Sequence, residues 1–139
     1  MNTYVRSALL GATTGIRSTA GPFAARWSES KRLPIGSAMA LGGEMVADKL
    51  PFVPSRATPG GLAPRVGGAI YAVRTGVRKP DAAAYAIAAV AAIGTAFAAA
   101  NLRKFIKENT DIPDFAAGLA EDVLVLACLG GLLRFVNDA

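Results

Sequence analysis

Glu44, Asp48 and Lys49 are charged residues within the otherwise apolar stretch Ile35–Pro51, and they are the first candidates for chemistry in this chain. Glu44 and Asp48 are four residues apart, so on a helix they share one face about one turn from each other. Carboxylates in apolar surroundings can take up a cation or a proton, or they can pair with a basic side chain. A soluble helix normally spreads its charges along a solvent-facing stripe, whereas these charges crowd at one end.

The chain has no histidine and one cysteine, Cys128, and this composition excludes two common kinds of site. Without histidine, neither a Ser-His nor a Cys-His nucleophile pair can form. A lone cysteine forms no intramolecular disulfide and excludes Cys-rich zinc spacing. Cys128 has apolar neighbours, which predicts a buried small side chain. We therefore expect no enzyme activity, metal or cofactor.

The composition favours a membrane protein. Hydrophobic residues make up 53% of the 139 residues and charged residues only 18%, and the mean hydropathy is +0.38. Alanine and glycine supply much of the apolar count, and small residues let membrane helices approach closely. The net charge of +5 is dispersed along the chain without an aromatic platform or a reading motif for bases. We therefore expect that the protein resides in a lipid bilayer and does not bind nucleic acid.

Hydropathy and helix-breaking residues divide the single domain, residues 1–139, into about five helical segments. The predicted fold is an all-α, polytopic membrane bundle in which some segments are short or broken. Ala82–Ala100 carries no charge and is the clearest spanning candidate. A proline-rich loop is predicted over residues 51–61. The five segments are Val5–Trp27 with a kink at Gly21-Pro22, Pro34–Leu50, Leu62–Val77, Ala82–Lys107 and Phe115–Phe135.

The basic N-terminal segment also resembles a targeting peptide, because it is rich in Ser, Thr and Ala and contains no acidic residue before Glu29. Gly11 and Gly15, however, have the spacing of small residues at helix contacts. We predict that Met1–Trp27 is retained in the mature protein.

A weak internal repeat relates residues 5–50 to residues 82–136, with the helix 62–77 between the halves. Each half reads as a helix with a late arginine, Arg17 or Arg103, followed by a helix with a glutamate, Glu44 or Glu121. If every segment crosses the membrane, three crossings separate the halves, which predicts an inverted repeat of the kind found in transporters. The basic residues of the two predicted sides nearly balance, so the sequence does not give the orientation.

The motif Gly43-Glu44-x-x-Ala47-Asp48-Lys49-Leu50-Pro51, with Pro54-Ser55-Arg56 after it, resembles the small-membrane-protein branch of the family known as domain of unknown function 4126 (DUF4126). This resemblance extends over almost the whole chain through Gly15-Ile16-Arg17-Ser18, Arg65-x-Gly67-Gly68-Ala69 and Pro113-Asp114 followed by Ala120-Glu121-Asp122. It implies an integral protein of a bacterial inner membrane and no specific activity. The family's signature positions fall on Arg17, Glu44, Asp48, Lys49, Arg65, Glu121 and Asp122.

Two interpretations of these charges stay open. In the structural one, Arg17 and Arg65 neutralise Glu44 and Glu121, which approach one another around a pseudo-two-fold axis, because unpaired charges in a bilayer are costly. In the functional one, the cluster lines a cavity that binds an ion, a proton or an anionic head group. The first fits a structural protein that packs against partner helices or copies of itself, and the second a small transporter or channel.

Overall fold

The computed structural model describes residues 1–50 and 58–137, with side chains up to residue 134. This part of the chain contains six α-helices and no β-strand, which confirms the all-α fold class. Most of the predicted loop 51–61 lies outside the described residues. The helices are Thr3–Ile16 (α1), Ala20–Ser30 (α2), Ile35–Ala47 (α3), Pro59–Gly76 (α4), Ala82–Asn109 (α5) and Asp114–Asn137 (α6).

The first predicted segment is two helices rather than one kinked helix. The chain leaves the helical conformation at Arg17, and α2 returns antiparallel to α1, so that Arg6 donates a hydrogen bond to Ser28 Oγ at 3.0 Å. Pro22 lies in the first turn of α2, where its missing N–H costs little. The proline therefore helps to begin a helix instead of kinking one, and the predicted break at Gly21-Pro22 is displaced to Arg17–Thr19.

A stripe of small residues joins α1 to α5. Gly11 and Gly15 of α1 face the buried Ala88 and Ala92 of α5 so closely that a Cβ on Gly11 would lie 2.2 Å from the Ala88 carbonyl oxygen. Thr95 Oγ1 donates a hydrogen bond across this contact to the Ala12 carbonyl at 2.9 Å. Small side chains thus let two backbones approach, as the spacing of Gly11 and Gly15 predicts.

The register of this contact shows that α1 and α5 run parallel. Tyr4 bonds to Asp81 near the start of both helices, and Gly11 and Gly15 then meet Ala88 and Ala92 in the same order. The inverted repeat predicts opposite directions for segments one and four. Because the first segment reverses at Arg17, it does not make the single crossing on which that prediction depends.

Among the described residues, two helices are long and apolar enough to cross a membrane. They are α5, with 28 residues, and Asp114–Arg134 of α6, with 21 residues, where a crossing needs about 20. The apolar α3 has only 13 residues. The structure therefore does not confirm five spanning segments. The predicted bounds of the last four segments nevertheless agree with those of α3 to α6 within three residues.

The buried face of α6 is a stripe formed by Asp122, Val125, Leu129 and Leu132, which are three or four residues apart. Cys128 lies outside this stripe and is exposed. The prediction of a buried Cys128 is therefore wrong, because its apolar neighbours reflect an apolar outer surface of α6 rather than a core.

We predict that Gly11→Ala lowers the free energy of unfolding by about 1–3 kcal/mol, because the added methyl group overpacks the contact with Ala88. Gly94→Ala on α5 is the matched control, since nothing lies within 4 Å of a Cβ at that position. The control should be neutral or gain up to about 1 kcal/mol from a less flexible unfolded chain. Unfolding of the detergent-solubilised variants, followed by circular dichroism, measures both effects, and equal changes would contradict the close packing of α1 on α5.

Candidate functional site

The turn between α1 and α2 carries a fully buried arginine. Arg17 is the residue after the last turn of α1, its backbone is extended, and its side chain is 0% exposed. Its guanidinium forms one ion pair with Asp48, at 2.7 Å, and another with Asp122 of α6. The turn is therefore joined through one side chain to the end of α3 and to the middle of α6.

Asp122 also binds Lys49, whose Nζ lies 2.7 Å from the second carboxylate oxygen. The same Nζ donates to the Met45 carbonyl at 2.9 Å and lies 5.9 Å from the centre of the Phe115 ring. Asp122 thus bridges two cations, Arg17 and Lys49, in a region where its own side chain is 11% exposed. Each oxygen of the Asp122 carboxylate thus has its own cationic partner, Arg17 on one and Lys49 on the other.

A second arginine, Arg103 of α5, extends the cluster. It pairs with Asp114 through two hydrogen bonds of 3.0 Å, and its NH1 atom lies 3.5 Å from Asp48 and 3.9 Å from Glu121. Neither Arg103 nor Asp114 is among the predicted site residues. Arg103 is the first charged residue after the apolar run of α5, and this position in the sequence could have indicated that it joins the cluster.

Glu44 holds the start of α2. Its carboxylate accepts four hydrogen bonds of 2.6–3.0 Å, from the backbone N–H and the hydroxyl group of both Ser18 and Thr19. The first N–H groups of a helix have no partner within the helix, and the positive end of its dipole favours an anion. Thr19 makes no side-chain cap of its own, so Glu44 supplies the cap of α2 from another helix.

Arg65 holds the end of α1 in a complementary way. It is 6% exposed, and its Nε atom donates to the Gly15 carbonyl at 3.0 Å, while NH1 donates to the Gly61 carbonyl at 2.5 Å. Carbonyl groups at the end of a helix lack partners and favour a cation. The turn is thus fixed by an anion on its N–H groups and a cation on its carbonyl groups.

The predicted pairing of Arg17 and Arg65 with Glu44 and Glu121 is therefore wrong in its partners. Arg17 pairs with the two aspartates, and Glu44 has no arginine partner among residues 1–50 and 58–137. Neighbouring residues on a helix point about 100° apart, so α6 can turn either Glu121 or Asp122 fully inward. Asp122 lies on the stripe that contains Val125 and Leu129, and this stripe faces the core.

A cavity of about 140 Å³ lies beside the turn, between the end of α3 and the start of α4. Its lining includes Ser18, Glu44, Ala47, Asp48, Gly60 and Arg65. This volume exceeds that of a single water molecule, and polar groups on several sides would keep such a space hydrated. The carboxylates suit a cation or a proton, and the guanidinium suits an anion.

All seven predicted site residues lie around this turn or in contact with residues that do. Six of them belong to the turn, bind it directly, or bind a residue that does. The exception is Glu121, which lies at the edge of the cluster near Arg103.

Within the described residues, no group of three or more His, Cys, Asp or Glu side chains is arranged to hold a metal ion. Comparison of this chain with models of protein families, with curated proteins and with solved structures finds no match.

We predict that Asp122→Asn alone costs about 3–5 kcal/mol of stability, because it leaves the buried Arg17 guanidinium with one carboxylate fewer. The double variant Arg17→Gln/Asp122→Asn should cost less than the sum of the two single changes, with a coupling energy of about 1–3 kcal/mol. A double-mutant cycle on unfolding in detergent measures this coupling.

Glu108→Gln is the control for this cycle, because its pair with Lys104 is exposed and 3.8 Å long. Its effect should stay below about 0.5 kcal/mol. Simple additivity of the Arg17 and Asp122 changes would show that the buried pair does not hold the turn.

Proposed function

We propose that this chain is a small integral membrane protein of the transporter or channel type, in which the charged cluster at the α1–α2 turn binds a cation or a proton. The proposal includes a bacterial inner membrane and the resemblance to the DUF4126 family. That family name implies no activity. The observation that carries the proposal is the cavity lined by Glu44 and Asp48 beside the turn between α1 and α2 in an apolar bundle.

The surfaces of α5 and α6 support membrane integration. Only 22% and 33% of the residues in their most apolar stretches are buried within the protein. Val90 is 70% exposed, Phe105 61% and Val123 66%. A core helix of a soluble protein would bury such residues, whereas a bilayer supplies an apolar surrounding for them.

The reversal between α1 and α2 supports a binding role. Within a bilayer, non-helical backbone is tolerated only where protein buries it or where it lines a water-filled cavity. In many transporters, helix ends within the bilayer lie at the site of the transported ion. The α1–α2 turn contains two helix ends, and Ser18 of this turn lines the cavity. Two charged side chains, Glu44 and Arg65, bind the turn.

Asp48 is the residue through which binding could change the structure. Its Oδ2 atom lies 2.7 Å from Arg17 and 3.5 Å from Arg103, and the residue also lines the cavity. A proton or cation on this carboxylate would weaken its attraction for both arginines, leaving Arg17 more dependent on Asp122. Occupancy of the cavity and the packing of α3, α5 and the turn are thereby coupled.

The alternative is a structural or assembly protein, and the surface of α3 favours it. Leu41 is the buried residue of this helix, whereas Met39 is 73% exposed and Val46 68%. Such an apolar face could pack against a partner membrane protein or a second copy of this chain. In that case the charged cluster would serve only to hold the bundle together.

We predict that the protein stays with the membrane pellet after extraction with alkaline carbonate, because the outer faces of α5 and α6 are apolar. Immunoblotting of pellet and supernatant measures the distribution. Release into the supernatant would remove the basis of the whole proposal.

We predict that proteoliposomes containing the protein take up protons or sodium faster than empty liposomes under an imposed potential. Ala47→Leu should abolish this flux by filling the cavity, and Asp48→Asn should reduce it at least about tenfold by removing the charge. Entrapped pH-sensitive and sodium-sensitive dyes report the two ions.

Ala86→Leu is the matched control for the cavity variant, because it adds the same side chain at an exposed position of α5. It should leave the flux unchanged. Wild-type protein that is folded, inserted and no faster than empty liposomes would reject transport and leave the assembly alternative.

A further inference from the structure

The fold gathers basic residues of α2, of α4 and of the connections that follow these two helices at one end of the bundle. The starts of α1 and α5 meet there, since the Tyr4 hydroxyl donates to Asp81 at 2.9 Å. The end of α2 lies beside the start of α1, through Arg6 and Ser28. The late part of α4 joins them, because Arg26 Nε donates to the Tyr71 hydroxyl at 2.9 Å. We call this region the basic end, and its exposed basic residues are Arg26, Lys31, Arg32, Arg74, Arg78 and Lys79.

The acidic residues of the basic end do little to offset these charges. They are Glu29 and Asp81, against six basic residues. Asp81 caps α5, where the Ala84 backbone N–H lowers the pKa of this carboxyl group and the Tyr4 hydroxyl lowers it further. The basic end therefore presents a strong positive potential.

The opposite end of the bundle is close to neutral. Residues 103–114, which comprise the last part of α5, the connection to α6 and the first residue of α6, have three basic and three acidic residues. Arg103 is bound to Asp114, and Lys104 lies 3.8 Å from Glu108. The two ends thus differ sharply in charge, although the sequence distributes its basic residues almost evenly along the chain.

Two lysines of the basic end occupy backbone conformations that favour glycine. Lys31, which ends α2, and Lys79, in the connection from α4 to α5, both have a φ of 54°. A side chain at such a position costs backbone stability relative to glycine. Both positions nevertheless carry a positive charge at the basic end.

We infer that the basic end lies at the cytoplasmic face of the membrane and binds the anionic head groups of phospholipids. The inference rests on the proposed membrane integration. Basic residues next to membrane helices are retained on the cytoplasmic side, and they are attracted to the negative lipids of that surface. α2, α4 and the connections after them supply six such residues at one end of the bundle, so that several head groups can be bound together.

Orientation is tested with single cysteines in a Cys128→Ala background. Ser30→Cys reports on the basic end and Thr110→Cys on the opposite end, and both positions are exposed. With a membrane-impermeant maleimide on bacterial spheroplasts, Thr110→Cys should be labelled at once and Ser30→Cys only after lysis. The reverse pattern, or equal labelling of both, would overturn the inference. Release by alkaline carbonate would instead reject the proposed membrane integration, so the two failures are distinguishable.

Lipid binding is tested by native mass spectrometry of the purified protein with phosphatidylglycerol and phosphatidylcholine. Wild type should bind phosphatidylglycerol at least about tenfold more tightly. Arg78→Gln/Lys79→Gln should lose most of this preference, whereas Lys104→Gln/Lys107→Gln, which removes the same charge at the opposite end, should keep it. Equal loss in both variants, or equally tight binding of a short RNA, would overturn the assignment to lipid head groups.

Discussion

Burial of the Arg17 guanidinium is the constraint on which the rest of the structure depends. Removing one cation from water costs several kcal/mol unless carboxylates and hydrogen bonds replace the solvent. Asp48 and Asp122 do so from two different helices, and Lys49 and Arg103 in turn balance these aspartates. One buried charge thus requires that α3, α5 and α6 meet at the α1–α2 turn.

The backbone of the turn raises a second requirement, because a reversal between two helices leaves N–H and carbonyl groups without helical partners. Glu44 accepts from the N–H groups of Ser18 and Thr19, and Arg65 donates to the Gly15 carbonyl. These two side chains do not neutralise each other in a simple pair. They complete the hydrogen bonding at the two helix ends that meet in the turn, which is why the charges lie so close to apolar segments.

Close packing sets where this turn can lie. Gly11 and Gly15 bring α1 against the alanine face of α5, and Gly68 of α4 approaches the Ser18 carbonyl so that a Cβ there would lie 2.4 Å from it. Larger side chains at these positions would move the turn away from α4 and α5. The small-residue contacts and the charged cluster are therefore one arrangement, in which packing positions the groups that line the cavity.

The sequence by itself determined that the chain is helical, that α5 and α6 have the length and apolarity of membrane helices, and that Gly11 and Gly15 mark a helix contact. These features depend on local composition and periodicity, which a single chain displays directly. It also pointed to most of the residues that surround the turn, since ionisable groups in apolar segments require partners.

Only the tertiary structure decided which partners these are. The choice between Glu121 and Asp122 depends on a rotation of α6 by about 100°, which the continuous runs of apolar residues on both sides did not resolve. The reversal at Arg17 depends on Glu44 and Arg65, which are distant in sequence and stabilise a turn that local propensity does not favour. That reversal also brings Arg6 to the end of the bundle that holds Ser28 and Arg26, whereas a single crossing by the first segment would place Arg6 and Arg26 at opposite ends.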